Sequence, residues 1–399
     1  MNFVFISPQF PETYWNWCDR LQRNGANVLG IGDTPYDGIP EQLKRALTEY
    51  YWVPSLEDYD QVFRAVAFFS FKYGKIDWLE SNNEHWLGQD ARLRDDFHIT
   101  TGAGAVQMAA WRSKARMKPL YAAGKVPTAR QIRVADGADT ASVRAFALEV
   151  GYPLFAKPEV GVGSGGASKI DDAAALEALL AERGDAPYVL EEYVTGDICS
   201  YDAIIDSRGE PLFENQEEFP PSMEEIVRLK LDVSYFSCPT VDPRLRKLGR
   251  AAVKAFGITS RFVHMEFFRL AEAKPGLGAA GDYVGLEVNV RPPGGFTPDI
   301  MNFAHATDVY QIWADMICFD ERRLPDSGDA GFCVYASRRD IYAYKRSDGE
   351  IRSAYGTAIR MSGRMADALS DDLGNSFYMA RFSTEAEVDG FVAFVQTRA

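Results

Sequence analysis

The sequence contains little of what marks a secreted or membrane-spanning protein. Its five cysteines are odd in number and scattered, with no Cys-x-x-Cys pair to suggest zinc, so we interpret them as reduced core thiols. No run reaches the roughly 18 apolar residues that cross a bilayer. Met1–Ile6 leads directly into a strand-like segment and lacks the basic start and long apolar stretch of a signal peptide. We therefore expect a cytoplasmic protein.

The sequence also lacks a basic excess and any low-complexity tract. Its 43 Lys and Arg against 57 Asp and Glu give a net charge of -14, which repels nucleic acid and anionic lipid, so we expect neither as a partner. A nucleotide would need a local basic, glycine-rich site and magnesium to enter such a field. With 399 residues, 46% of them hydrophobic, the chain can form two to four domains with large cores.

The first segment has the pattern of an open parallel sheet. Asn2–Ile6 predicts a buried strand, Trp15–Asn24 a helix and Gly25–Ile31 a second strand, which together make a β-α-β unit. Trp78–Glu84 predicts another strand end that opens into a polar loop, and the domain should close near residue 98. The loops 7–14 and 81–85 either face a substrate or simply connect elements.

A compact α+β unit is expected next. One helical pattern runs from Ala105 to Ala123, and Tyr152–Pro158 predicts a strand. Asp139 or Thr140 can cap one helix that stops at Gly151, and Asp171 can cap another.

Further helices and strands follow. Asp242-Pro243 predicts a helix ended by Gly257, before strands at 262–270 and 283–290 and a helix around 309–319. From about Gly331 short strand signals predict a smaller packed subdomain.

Lys157 ends a predicted strand and leads into a loop with four glycines in the six positions 161–166. Such a loop can wrap backbone amides around phosphates, and glycine lets the chain approach closely. It is not a Walker A loop, because no Gly-Lys-Ser/Thr ends it. On this pattern alone, a flexible hairpin is the better interpretation.

The segment Tyr188–Val194 is an apolar strand that finishes in paired acids. Its exposed backbone could pair with a purine, with Glu191 accepting from an exocyclic amine and Val194 offering its amide. The alternative interpretation is that the paired acids are simply exposed at the end of a strand.

The strongest signal lies on the two strands at 262–270 and 283–290. Alternate residues of a strand share a face, so Glu287, Asn289 and Arg291 project together, as do His264 and Glu266. Two carboxylates and an amide oxygen are the hard ligands that magnesium prefers. Arg291 can then face a transferring phosphoryl group. A structural salt-bridge cluster is the alternative.

At this point the sequence resembles the ATP-grasp superfamily, from Lys114 to Asp320. The order of the motifs carries the resemblance: Lys114 before a Gly-x-x-Pro break, Gly-Tyr-Pro-x-x-x-Lys-Pro at 151–158, the glycine loop, Leu-Glu-Glu-Tyr-Val at 190–194, then Glu266 and Glu287-x-Asn289-x-Arg291. No single piece is decisive, but their joint order is specific.

The resemblance implies the following fold and ligand set. ATP would lie between two α+β subdomains, with magnesium, or manganese in its place, bound beside it. The expected parts are an N-terminal pre-ATP-grasp α/β domain (1–98), a small lid subdomain (99–190), a large subdomain (191–325) and a C-terminal α+β subdomain (326–399). The nucleotide-binding residues would be Lys114, Lys157, Gly163, Ser164, Gly165, Gly166, Glu191, Glu192 and Val194. Glu266, Glu287 and Asn289 would bind the metal, and Arg291 and Lys157 would be catalytic.

One position departs from the family pattern. Many relatives have Gly-x-Glu at the ribose side, whereas this chain has Gly196-Asp197-Ile198, so Asp197 is the expected ribose contact.

The pattern around His264 and Arg291 is most similar to carboxylate-amine ligases, including L-amino acid ligases. This implies a small carboxylate and an amine as substrates, and it allows a homodimer. A bicarbonate-activating enzyme of the biotin carboxylase or carbamoyl phosphate synthase type is an alternative, although no second copy of the Lys157 or Glu287 motif is present. A non-catalytic nucleotide-binding protein is another. We expect His264 to border the site and the other three histidines to pack or face solvent.

Overall fold

The computed structural model describes residues 1–135, 139–161, 166–182, 186–220, 226 and 229–399. The strands in this part of the chain form three sheets, which we call sheets A, B and C.

Sheet A is the parallel sheet expected at the N-terminus. Its four strands have the order β3-β2-β1-β4. The strands are β1 (Asn2–Ile6), β2 (Asn27–Gly32), β3 (Glu49–Trp52) and β4 (Trp78–Glu80), and the helices are α1 (Trp15–Arg23), α2 (Glu41–Ala46), α3 (Tyr59–Tyr73) and α4 (Leu87–Asp96), with a 3-10 turn at Tyr36–Gly38. Both faces of β1 are buried: Phe3 and Phe5 join one core cluster, and Val4 and Ile6 join another.

The helical pattern expected from 105 to 123 is two helices, so the prediction of one helix was wrong. They are α5 (Ala105–Arg112) and α6 (Lys114–Ala123). Ser113 separates them with extended backbone, and its side chain accepts a hydrogen bond from Arg116 N. A serine that satisfies a free amide of the first turn starts a new helix. The break makes Lys114 the first residue of α6.

Sheet C is antiparallel and has the order β5-β8-β6-β7. Its strands are β5 (Gln131–Val134), β6 (Leu154–Pro158), β7 (Ser168–Ile170) and β8 (Tyr188–Glu192), and its helices are α7 (Thr140–Val150) and α8 (Ala173–Glu182). Asp139 caps α7 as expected, since its carboxylate accepts from Ala141 N. The prediction of Asp171 as the cap of α8 was wrong, because Asp172 accepts from Ala175 N.

Sheet B contains eight antiparallel strands in the order β13-β12-β9-β10-β11-β14-β16-β15. The strands are β9 (Gly196–Ile205), β10 (Pro211–Phe219), β11 (Ser234–Ser237), β12 (Arg261–Leu270), β13 (Tyr283–Asn289), β14 (Phe332–Arg338), β15 (Ile359–Arg364) and β16 (Ser376–Phe382). The helices are α9 (Pro243–Phe256), α10 (Thr297–His305), α11 (Val309–Phe319), α12 (Asp348–Tyr355), α13 (Asp367–Leu373) and α14 (Glu385–Gln396).

Sheet B continues across the boundary between residues 325 and 326 that was predicted from the sequence. β11 pairs with β14, so the strands of the expected C-terminal subdomain extend the sheet that begins with β13. β8 likewise crosses the boundary at 190. The four-part division of the chain stays a prediction.

Helix α9 packs closely on sheet B. Asp242 caps it, Pro243 occupies its first turn and Gly257 ends it in the left-handed region (φ 64°), as expected. A Cβ at Gly249 would lie 2.3 Å from the ring of Tyr201, so only glycine permits this approach. The helix therefore holds the β9-β12 side of the sheet from behind.

The structure bears on the predicted state of the cysteines and on the presence of membrane-spanning helices. All five cysteines are free thiols, and Cys18, Cys199 and Cys333 are buried, which confirms the core-thiol interpretation for these three; the other two are half-buried. In the ranges given above, no helix has the length and apolar content needed to cross a bilayer.

Candidate active site

The expected metal ligands lie on adjacent strands of sheet B. In the antiparallel register of β12 and β13, Glu266 is opposite Glu287 and His264 is opposite Asn289. Residues opposite each other in a ladder share a face and lie within side-chain contact. The strands therefore bring together two carboxylates, one amide and one imidazole.

Two lysines predicted to bind phosphate also converge here, each on a carboxylate. Lys114 Nζ lies 3.1 Å from Glu287 Oε1, and Lys157 Nζ lies 2.8 Å from Glu191 Oε2. Both lysines are buried, so each ammonium needs a partner of opposite charge. The first pair connects α6 with sheet B, and the second joins β6 and β8 within sheet C.

Lys118 is a third lysine at the site, and the sequence analysis missed it as a site residue. Its Nζ lies 2.8 Å from Glu191 Oε1, so Glu191 is held between Lys118 and Lys157. Lys114 and Lys118 are four residues apart on α6, a spacing that places side chains on one helix face. That spacing was a signal that could have found it.

A hydrogen-bonded junction fixes the start of α6. Ser113 Oγ donates to Glu159 Oε1 at 2.6 Å, and Lys114 N donates to Glu159 O at 3.0 Å. Arg133 Nε donates to the other carboxylate oxygen of Glu159 at 2.6 Å. Glu159 directly follows β6, so the junction sets Lys114 and Lys157 relative to each other.

The acids at the site have different pKa shifts. Burial raises the pKa of Glu287, and the charge of Glu266 adds to this, while Lys114 and Lys157 oppose it. For Glu191, burial also favours the neutral form, but Lys157 and Lys118 outweigh it and lower the pKa. Glu191 is therefore an ionised carboxylate between two ammonium groups.

The pKa values of Lys118 and Lys157 are shifted in opposite directions. Burial lowers the pKa of Lys118, although Glu191 opposes the shift. For Lys157, burial is outweighed by the charges of Glu191 and Glu287, and the pKa is raised. Lys157 is thus the more firmly protonated of the two and the better fixed positive charge.

His264 borders the metal-ligand candidates, as expected. Its Nδ1 lies 2.6 Å from Asp202 Oδ1, and its Nε2 lies 3.4 Å from Glu266 Oε1. Burial favours the neutral ring, but Asp202 and Glu266 outweigh it and raise the pKa of His264 to about 10. The ring is an imidazolium at neutral pH. Asp202 was not found from the sequence, because its position opposite His264 depends on the β9-β12 register.

Arg291 follows β13 and lies near the loop 81–85. Its Nε lies 3.5 Å from Glu84 Oε2, and Arg112 Nε donates to Glu84 Oε1 at 3.1 Å. Glu84 belongs to the loop 81–85 that the sequence analysis marked as potentially substrate-facing. The structure therefore brings this loop to Arg291.

A buried ion pair anchors the backbone next to Arg291. Arg261 Nε donates to Val290 O at 2.6 Å, and Arg261 Nη2 lies 2.6 Å from Glu80 Oε2. Glu80 ends β4, so the pair joins the carboxyl end of sheet A to the end of β13. This contact fixes the position from which Arg291 projects.

The remaining nucleotide-binding candidates have mixed placements. Gly163, Ser164 and Gly165 lie outside the described residues. Gly166 has φ 76°, a conformation that favours glycine. Val194 is buried in a small apolar cluster that includes Leu270 and Val284.

Two nucleotide-binding candidates, Glu192 and Asp197, do not lie with the lysines and the metal-ligand candidates. Glu192 is adjacent to Glu191 on β8 and therefore faces the other side of sheet C, where Arg130 Nη2 donates to it at 2.9 Å. Asp197 lies opposite Arg269 on the β9-β12 ladder, and the two form an ion pair at 3.2 Å. Strand alternation directs Asp197 to the face away from Ser200 and Asp202, so the structure does not support it as the ribose contact.

The donor set fits magnesium. In the described part of the chain, no group of three or more His, Cys, Asp or Glu side chains could hold a metal ion by itself. Magnesium is usually held by one or two carboxylates together with waters and substrate phosphates, rather than by an all-protein cage. Glu266, Glu287 and Asn289 supply such a partial set, and the lysines beside them suit the phosphates.

The sequence was compared with families and with curated proteins. No family model matches it. It is 27% identical over 186 residues to a D-alanine–D-alanine ligase from Xanthomonas axonopodis pv. citri (strain 306), a match that covers 44% of this chain and 51% of that protein. The chain spans about half the length of the curated relatives it matches.

Solved structures resemble the chain over almost its whole length. An L-amino acid ligase from Bacillus licheniformis has a TM-score of 0.73 at 15% identity, covering 99% of this chain and 96% of that one. An N5-carboxyaminoimidazole synthetase from Staphylococcus aureus has a TM-score of 0.70 at 12% identity, covering 99% and 97%. At these identities the likeness is one of fold. The chain therefore has an ATP-grasp fold, and over about half of its length its sequence is similar to D-alanine–D-alanine ligases.

Proposed function

We propose that this chain is an ATP-dependent carboxylate-amine ligase. It would activate a carboxylate, an amino acid or a related small acid, as an acyl phosphate and join it to an amine, with release of ADP and phosphate. The observation that carries the proposal is the convergence of Glu266, Glu287 and Asn289 with Lys114 and Lys157 on one site. The names of the D-alanine–D-alanine and L-amino acid ligases support an amino-acid substrate.

Each residue of the site has a role in this proposal. Lys114 and Lys157 would bind phosphate oxygens, Glu266, Glu287 and Asn289 would hold magnesium, and Glu191 and Val194 would contact adenine. ATP supplies the phosphoryl group, and magnesium neutralises its charge. The protein contributes positioning and fixed charge, which dominate phosphoryl transfer.

The ion pairs imply that Lys114 and Lys157 change partners when magnesium and nucleotide bind. Lys114 is paired with Glu287, and Lys157 with Glu191, so each ammonium would have to leave its carboxylate to bind phosphate. A metal ion on Glu287 and a purine amine on Glu191 would release the two lysines together. We therefore expect magnesium and nucleotide to bind interdependently.

Arg291 would stabilise negative charge on the transferring group. It projects from the strand end next to Asn289, and its contact with Glu84 at 3.5 Å is long for a hydrogen bond. A guanidinium that is only weakly paired can turn to a developing negative charge. The nearby loop 81–85 is then a candidate for acceptor selection.

A coupled ADP-release screen over carboxylates and amines tests the proposal. The screen omits each component in turn, uses bicarbonate-depleted buffer, and includes Asp197→Asn as a matched control, since Asp197 lies on the opposite sheet face. ADP formation that requires both an amino acid and an amine supports the proposal. Dependence on bicarbonate favours the carboxylase-type alternative, and nucleotide binding without ADP formation would overturn catalysis.

A further inference from the structure

Glu217 is a fully buried acid whose two carboxyl oxygens have no hydrogen-bond partner among the described residues. Burying a polar group without a partner costs free energy, and such groups are uncommon in folded proteins. Burial is also the main reason that its pKa is raised, with Asp202 adding to the shift and His264 opposing it. Among the described residues, no group satisfies this carboxyl group.

The register of sheet B places Glu217 in a row with the metal-ligand candidates. Glu217 is opposite Ser200, Ser200 is opposite Glu266, and Glu266 is opposite Glu287. Two strand spacings separate Glu217 from Glu266, about 10 Å between backbones. The small Ser200 is the only residue between them in this row, so one small molecule could contact both acids.

The neighbouring hydroxyl donors are used elsewhere. Ser200 Oγ donates to Asp202 Oδ2 at 2.8 Å, and Ser237 Oγ, on the other side of Glu217, donates to Asn215 Oδ1. Asn215 in turn donates to Asp202 at 3.1 Å. These groups satisfy one another and leave Glu217 out. Among the described residues these hydroxyl groups therefore leave no donor for Glu217, and a bound molecule could supply one.

A cation fits the unpaired carboxyl group of Glu217. Phe219 and Tyr235, which stack on each other at 5.4 Å, lie beside it on the same face of sheet B. Tyr235 Oη contacts Thr297 Oγ1 at 3.1 Å, so the start of α10 covers this part of the sheet. α10 directly follows the segment 291–296. The helix that covers Glu217 is therefore joined to Arg291 by a short stretch of chain.

We propose that Glu217 receives the ammonium group of an amino-acid substrate whose carboxyl group lies toward Glu266 and Arg291. This proposal rests on the ligase function proposed above and names the substrate class. An ammonium bound to a carboxylate keeps its proton and is not a nucleophile. Glu217 would thus define which amino acid is activated at its carboxyl group, and a different molecule would supply the attacking amine.

The test measures binding without turnover. Wild type, Glu217→Gln and Glu218→Gln are titrated calorimetrically, in magnesium and a non-hydrolysable ATP analogue, with L-alanine, D-alanine and L-phenylalanine and with their deaminated counterparts propionate and 3-phenylpropionate. Glu218 is the matched control, because it is the adjacent buried acid on the opposite face of β10. Melting temperatures and analogue affinity check that each variant is folded.

We expect wild type to bind at least one amino acid more tightly than its deaminated counterpart. Glu217→Gln should weaken that amino acid by about tenfold or more, the scale of a lost charged hydrogen bond, and leave the deaminated acid unchanged. Glu218→Gln should bind like wild type. Equal binding of both ligand types by wild type, or no selective loss in Glu217→Gln, would overturn the proposal. Failure of the ADP-release screen with intact selective binding would instead count against the ligase function.

Discussion

Lys114 Nζ lies 3.1 Å from Glu287 Oε1, and this ion pair joins a proposed phosphate-binding residue to a proposed metal ligand. Lys114 begins α6 and Glu287 lies on β13, so the pair connects a helix to sheet B. In the proposed function the metal needs Glu287 and the nucleotide needs Lys114, so the two residues would separate when metal and nucleotide bind.

The first prediction concerns the carboxylate of this pair. Glu287→Gln keeps the side-chain shape but removes the charge that would hold magnesium, so ADP formation should fall by at least about hundredfold. Burial and Glu266 already raise the pKa of Glu287, so a neutral side chain should be tolerated by the fold. The coupled ADP assay measures the first effect, and circular dichroism and melting temperature measure the second.

Asp197→Asn is the control for Glu287→Gln. It removes a carboxylate from the opposite face of sheet B and should retain turnover close to wild type. Near-normal ADP formation in Glu287→Gln would remove Glu287 from the metal site, whereas equal losses in both variants would indicate a general effect of charge.

The second prediction concerns Lys118, which shares Glu191 with Lys157. Lys118→Met leaves Lys157 as the only ammonium on Glu191, so Lys157 should be held more tightly and be less available to phosphate. We expect the KM for ATP to rise about tenfold, the scale of one charged interaction, with a smaller change in kcat. Initial-rate kinetics over ATP concentration provide the measurement.

Two further variants make this result specific. Lys118→Arg keeps the charge and should recover most of the affinity, and Lys254→Met removes an exposed lysine from α9 and should have no effect. An unchanged KM for ATP in Lys118→Met would show that Lys118 serves only the fold.

The sequence predicted the parts of the site that depend on short spacing. Glu287 and Asn289, like His264 and Glu266, are two residues apart on strands, and this spacing determines a common face without knowledge of the fold. Helix ends with a capping acid and a following proline or glycine, as in α9, were equally accessible. The residues that determine these strand faces and helix ends lie within a few positions of one another in the sequence.

The parts that were missed depend on contacts between distant segments. Asp202 contacts His264 only because of the β9-β12 register. Glu84 contacts Arg291 only because the loop 81–85 packs near the end of β13. The break at Ser113 was overlooked because the apolar pattern continues across it, and its partner Glu159 is 46 residues away. No local pattern contains this information.

The third prediction concerns pH and Asp90, a buried acid behind the loop 81–85. Burial, with Glu80 adding to it, raises the pKa of Asp90 from 3.8 to about 8. Between these values the folded protein keeps a proton that the unfolded chain has lost, so Asp90 makes stability fall as pH rises from about 4 to about 8. Asp90→Asn should remove this contribution and become progressively more stable than wild type over that range.

Urea unfolding at pH 5, 6, 7 and 8 measures the difference between Asp90→Asn and wild type. The exposed Asp37, in the same domain, provides the control variant Asp37→Asn, whose difference from wild type should not follow the same trend. A stability difference for Asp90→Asn that is constant with pH, or that changes in the opposite sense, would contradict a protonated Asp90 in the folded protein.

The fourth prediction separates catalysis from nucleotide binding at Arg291. Its guanidinium contacts Glu84 and the carbonyl of Pro292. Arg291→Ala should lower kcat by about 10²- to 10³-fold, the scale of a lost transition-state charge contact, while the affinity for ATP stays nearly unchanged. Steady-state ADP release and calorimetric titration of a non-hydrolysable analogue give the two quantities.

The backbone at Arg291 should not change with the side chain, because Arg261 donates to Val290 O and pairs with Glu80 independently. A loss of kcat in Arg291→Ala therefore reports on the guanidinium, and Arg64→Ala, at an exposed arginine of α3, controls for the removal of one positive charge. Should kcat be unchanged while the KM for the carboxylate substrate rises, Arg291 would act in binding that substrate. The pairing with Glu84 would then mark a substrate contact between β13 and the loop 81–85.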